Sequence, residues 1–588
     1  VIVISWQNHD LAALNLHRLL AADLQDTAAG GDVMIRDNVT RLGRKRAAVL
    51  RPDLRRNAPW GCEFSVEEDA SRKAHRSKHI QKSIHRDSIP LKTADRSRVP
   101  AHRSLTGPTS KSSLALKPLI RQPEAHGRPG SVMRSLYSRR KPIMIVDQQG
   151  HALSGATFEA AGLYDRAAAA FNLYRGDPIG MLDQAIKAAP EFAMAQILKA
   201  HLFGLATEPG ATKDAKAIVA KVKSSRLSER EASHVAALDL LLEGHWTAAA
   251  EALDLHNANY PHDLVALQSG HLMDFYRANA RDLRDRIARV LPKWSADMPG
   301  YSILLGMHSF GLEETGDYGR AEEAGRRAVD LQPLDSWAHH AVAHVMEMQG
   351  RAEDGIGWMI AREPHWSGDD NFFKVHNWWH RSLYHLDLGQ VDEVFALYDG
   401  PIRRDRSTVA LDMVDASALL WRLHLSGHDV GDRWQELAAT WDNHADGRTY
   451  PFNDWHAVMA YLGAGRNSEV ERILASYRNG TDVTDVAEWG QWTAMPLVEG
   501  FTAFWHGDYD TAAQRLSGAR FIANSFGGSH AQRDIIDWTL AEAAVRGGLT
   551  GLAQALANER LALKPHSPVN RSFLTRAGAN AAPDREAA

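Results

Sequence analysis

One recurring register of small and turn-forming residues constrains this 588-residue chain more than any other feature. The clearest unit runs Gly316-Asp317-Tyr318, then Ala321, Ala328 and Pro333, offsets of 5, 12 and 17 from the glycine. The spacing suits two antiparallel helices. Glycine permits the tight turn, the small residues let neighbouring helices approach, and proline ends the second helix. The register returns at Gly244 with Ala249 and Pro261, at Gly507-Asp508-Tyr509 with Ala512 and Ala519, and at Gly548 with Ala553 and Pro565. Gly350 lies 34 residues beyond Gly316, and Gly389, Gly427 and Gly465 follow at 39, 38 and 38. Between these marks, stretches of about 12–18 residues carry apolar positions at helical spacing, with no strand-like alternation.

A 34-residue helical period with this signature is that of the tetratricopeptide repeat. The predicted fold is therefore all-α, a right-handed tetratricopeptide-type α-solenoid of antiparallel helix pairs over about 156–565, with a concave inner face. First helices of the pairs are predicted at 335–349, 371–388, 409–426, 453–462, 486–505 and 529–546. They are expected to line that face. The chain divides into a segment 1–143, a repeat body 144–567 and a flexible tail 568–588.

The net charge of −4 hides a split. Residues 1–143 hold 27 Lys/Arg against 13 Asp/Glu, which leaves 41 against 59 for 144–588. Between Arg72 and Lys141 the chain is rich in Ser, Arg, Lys, His and Pro, without helical or strand period, so it is expected to be a disordered or extraneous basic extension. A nucleic-acid arm interleaves aromatics with its basic residues for stacking. Here Tyr137 alone does so, which argues against nucleic acid. A single cysteine, Cys62, excludes an intramolecular disulfide and a cysteine-rich zinc site. No apolar run approaches a bilayer-spanning length, so no membrane partner is expected, and the default location is cytoplasmic.

Chemistry-bearing residues concentrate on the first helices. His340, His344 and Glu347 fall on one helix face, as do His376 and His380 on the next, with Trp379 between them. In a solenoid these helices are neighbours, so the two pairs can converge. Further along stand Asp415 in an apolar helix, His456, and the group His530, Arg533 and Asp534 after Ser529, a predicted N-cap with Gln532 as capping-box partner. Of 17 Trp, 14 lie between Trp294 and Trp538. Three readings stand side by side. The histidines can be hydrogen-bonding struts between helices with Trp as filler. They can line a groove for a peptide, a protein segment or a small ligand. They can hold a divalent metal, with His344, Glu347 and His380 as candidates. The zinc-protease helix needs Glu after its first histidine, and position 341 is Ala, so that class is excluded.

The runs from Trp337 to Arg351, His376-Asn-Trp-Trp-His380, Leu397-Tyr-Asp399, Leu419-Leu-Trp-Arg-Leu423 and Gly527-Gly-Ser-His-Ala-Gln-Arg-Asp534 resemble the tetratricopeptide repeat protein 38 family. The resemblance spans roughly 144–565. It implies a soluble helical-repeat protein, and its members start near the position of Met144. It implies no particular reaction. The leading expectation is a binding scaffold with a His-, Trp- and acid-lined groove; the alternative is a metal-assisted or acid–base enzyme using the clustered histidines and Glu347. No cofactor is specified.

Overall fold

A computed structural model of the protein describes residues 144–579. The expectation for 1–143, Cys62 included, and the end of the tail from 580 lie outside the described residues. Among the described residues there is no β-strand, only the isolated bridges Val146–Ala152 and Arg175–Asn371. The rest is a tetratricopeptide-type succession of helix pairs from Phe158–Leu173 to Thr550–Leu563. Among the described residues no helix is long and apolar enough to cross a membrane.

The repeat register does what its chemistry predicts. Gly316 turns between Tyr301–Glu314 and Tyr318–Leu331 at φ +80°, in the left-handed region where a β-carbon is disfavoured. Ala321 and Ala328 are fully buried between neighbouring helices. Five first helices position the chemistry-bearing side chains: α1 (Tyr301–Glu314), α2 (Ser336–Met348), α3 (Lys374–Asp387), α4 (Ala410–Leu425) and α5 (His530–Arg546). Asp335 caps α2 by accepting from Ala338 N at 2.9 Å, and Ser529 and Gln532 form the expected capping box of α5.

Two expected elements differ. The helix expected over 486–505 is broken into Asp485–Glu488, a π-turn Trp489–Ala494 and Met495–Trp505. At Gly490 a β-carbon would meet the Tyr477 ring at 2.8 Å, so the wider turn follows a close approach that only glycine permits. The tail does not start at 568. A helix Pro568–Ala579 begins there, with Ser567 Oγ accepting from Asn570 N and Phe573 and Ala577 buried.

The array also closes on itself. Tyr174 O accepts from Phe372 N at 2.8 Å, and Arg175 pairs with Asp370 at 2.6 Å. Glu208 accepts from Ala410 N at 3.0 Å, and Asn453 donates to Thr207 O at 3.1 Å, 246 residues away. Glu314 accepts from His530 N at 2.9 Å, and Glu347 pairs with Lys564 at 2.5 Å. Each contact joins one repeat to another roughly one superhelical turn later. These returning contacts occupy parts of the inner face, and partly open cavities lie beside them.

Candidate metal centre

Helices α2 and α3 bring four imidazoles together. In each helix two histidines four residues apart share a face: His340 and His344 on α2, His376 and His380 on α3. All four are 0–2 % exposed. One ring nitrogen from each lies within 4.8 Å of one from each of the others. Ring centroids of His340 and His344 stand 4.3 Å apart, and those of His344 and His380 4.4 Å. His376 Nε2 and His340 Nε2 are 3.1 Å apart. Two nitrogens bound to one ion at about 2.1 Å would sit at roughly this separation.

Carboxylates back the cluster. His376 Nδ1 donates to Asp415 Oδ2 on α4 at 2.8 Å, which leaves its Nε2 lone pair aimed at the other rings. Glu313, fully buried on α1, places Oε2 3.7 Å from His344 Nδ1. The remaining ring atoms, namely His340 Nδ1 and both nitrogens of His344 and of His380, hydrogen-bond to no protein group among the described residues. Each buried polar atom in that condition costs about 1–3 kcal/mol. Five in one cluster are expensive as struts, and their lone pairs suit coordination.

The electrostatics agree. Burial, reinforced by the neighbouring imidazoles, holds His340, His344 and His380 well below the usual histidine value, so they are neutral with lone pairs available. Burial, with Glu314 beside it, pushes Glu313 well above the carboxylate range, and burial also raises Asp415 against the pull of His376. Buried cations stand nearby: Arg533 pairs with Glu314 at 3.2 Å, and Arg422 donates to Ala531 O at 2.8 Å. An imidazole-only set suits zinc, copper, iron or nickel rather than calcium or magnesium.

Of the other predicted site residues, Trp379 packs on the tetrad and the rest are engaged elsewhere. Glu347, although on the predicted face of α2, reaches Lys564. His456 Nδ1 donates to Phe452 O at 2.8 Å, and burial lowers its value to about 3. His530 and Arg533 gather on Glu314. Asp534 pairs with Arg560 at 2.9 Å, and that charge holds it down to about 2 against burial. Trp379 stacks on His376 at 5.2 Å, with the Arg422 guanidinium 5.4 Å from its ring. Glu313 escaped the sequence reading; its position one repeat upstream of His344 was the available signal.

A second histidine group lies in the N-terminal repeats. His201 Nε2 and His234 Nδ1 share a hydrogen bond at 3.1 Å, and His234 and His256 meet Asp263 Oδ2 at 3.1 and 3.2 Å. Ser233 Oγ lies 2.6 Å from His256 Nδ1, and Arg230 pairs with Asp263 at 2.7 Å. This group already contains its cation.

Beside the tetrad, and bordered by His340 and His376, is a cavity of about 350 Å³.

No family model matches the chain. Among solved structures, the crystal structure of the APC/C hetero-tetramer Cut9-Hcn1 is similar at 15 % identity, covering 71 % of this chain and 76 % of that chain, with a TM-score of 0.35.

Proposed function

We propose that the protein is a metal-dependent enzyme built on a tetratricopeptide-type solenoid, with His340, His344, His376 and His380 as ligands and a small molecule as substrate. The observation that carries this is the convergence of four buried imidazoles with five ring nitrogens that hydrogen-bond to no protein group among the described residues. A bound divalent ion with a coordination position left open beyond the four imidazoles would supply Lewis acidity and a lowered pKa for coordinated water. The chain's own contributions are orientation and exclusion of bulk water: Asp415 fixes the His376 tautomer, and burial keeps the other rings neutral. The binding reading survives within this one in its small-ligand form. A cavity of about 350 Å³ suits a small molecule. The runs Trp337–Arg351, His376–His380 and Gly527–Asp534 support placing the chain beside the tetratricopeptide repeat protein 38 family.

The test is elemental analysis of protein purified without chelators, followed by calorimetric refilling of chelated protein with Zn²⁺ or Co²⁺. The expected result is one equivalent per chain, lost in a His344→Ala/His380→Ala double variant that stays folded. Protein that neither carries nor takes up a stoichiometric ion overturns the reading.

A further inference from the structure

The cavity beside the tetrad has walls of one character, and they specify what it accepts. Its deep end is aromatic: Trp337, Phe373, Tyr450 and Phe452 are each less than 5 % exposed. Tyr174 stacks on Trp337 at 5.5 Å. Phe372, 52 % exposed, stands at the rim and marks an opening to solvent.

Most polar groups on these walls are already engaged. Tyr174 Oη accepts from Gln268 at 2.6 Å, and Tyr450 Oη donates to Tyr276 O at 2.9 Å. Asn453 donates to Thr207, and Gln532 belongs to the capping box of α5. The two charged lining residues, Arg175 and Glu208, are held by Asp370 and by Ala410 N. His376 has both nitrogens in use. What remains uncommitted on the wall is His340 Nδ1, at the end that leads to the four imidazoles, and Trp337 Nε1 beside it. Away from the metal end, an anionic body would shed its hydration there with Arg175 already paired to Asp370, whereas an apolar body loses only unfavourable contact with water.

We propose that this cavity receives an uncharged, largely apolar small molecule with a hydroxyl or carbonyl group turned toward the metal held by the tetrad. The inference rests on the metal reading and names its substrate class. Aromatic walls on several sides favour a planar ring system, and the volume holds a body of bicyclic size.

The experiment uses the full chain loaded with Co²⁺, whose visible absorption reports changes at the metal. The probes are 2-naphthol and 2-naphthalenesulfonate, each titrated by calorimetry and by absorption. Naphthol is expected to bind one to one, at least tenfold more tightly than the sulfonate, and to perturb the cobalt bands. Ala206→Trp, which fills the cavity from its wall, is expected to weaken naphthol at least tenfold while metal content stays at one equivalent. Val414→Phe serves the same purpose from another wall should the first variant fail to fold. Equal binding of the two probes, an unchanged cobalt spectrum, or naphthol affinity untouched by a folded filling variant would each overturn the inference. Metal content is read first and separately. Protein that takes up no ion overturns the metal reading, whereas a metal-loaded chain that ignores naphthol overturns this inference alone.

Discussion

Two histidine clusters in one chain use the same residue types at the same depth and arrive at opposite electrostatic solutions. In the N-terminal cluster, His201, His234 and His256 form a chain of hydrogen bonds that ends on Asp263, and the Arg230 guanidinium supplies positive charge beside that carboxylate. In the α2–α3 cluster a single bond joins His376 to His340, Asp415 supports one ring, and five ring nitrogens meet no protein acceptor or donor among the described residues. A buried polar group is stable when partnered. The first cluster meets that condition for most of its ring nitrogens, leaving His201 Nδ1 open; the second leaves five open, which the proposed ion would fill. Proximity of histidines is therefore a weak signal, and the accounting of their nitrogens is a strong one.

The largest expected effect separates the clusters outright. His344→Ala/His380→Ala removes two of four ligands and is expected to abolish stoichiometric metal, whereas His234→Ala leaves metal content unchanged; loss of metal in both would break the contrast. Next, Asp263→Ala removes the nearer carboxylate of Arg230 and leaves it only Asp147 at 3.4 Å, so the loss is expected to fall below the roughly 3–5 kcal/mol of a fully broken buried pair. Chemical denaturation should show that loss while metal per chain holds at one. Smaller is Asp415→Asn, which weakens the support of His376. Metal affinity is expected to fall about 10- to 100-fold with little change in fold, measured by competition with a chelator.

The smallest effect concerns pH. Burial, then the nearby His234, holds His201 well below its usual value, so below about pH 6.5 the unfolded chain binds a proton that the folded chain refuses. Stability from this group is complete above that pH and declines as the pH falls. Between pH 7.5 and 5 the loss is at most about 2 kcal/mol. His201→Gln should flatten that decline in denaturation midpoints. An unchanged slope would assign the acid sensitivity to another group.

Much of the fold was legible locally, and the remainder required distance. The Gly316 register with Ala321 and Ala328 sufficed for helix pairs, because each of those residues answers to its immediate neighbours. The faces of His340/His344 and His376/His380 followed from helical spacing, and their convergence followed from stacking adjacent repeats. Glu347 shows where local pattern stops. Spacing placed it on the correct face of α2, but it lies two turns below His340 and is claimed by Lys564, 217 residues away. His530 and Arg533 were likewise drawn to Glu314, on a helix more than 200 residues earlier. Nothing in a local pattern encodes which repeat returns opposite which.

That return has a consequence for how such a chain can change. An open repeat array can gain or lose a unit and remain the same kind of object, because each repeat answers only to its neighbours. Here Glu208 must find Ala410, Glu314 must find His530, and Glu347 must find Lys564. Adding one repeat between any such pair would slide every later partner past its mate. The aromatic chamber would lose a wall that comes from the far end of the turn. Closure converts a modular polymer into a ring-like part with a fixed tooth count, and the number of repeats becomes as much a property of the site as the identity of its histidines.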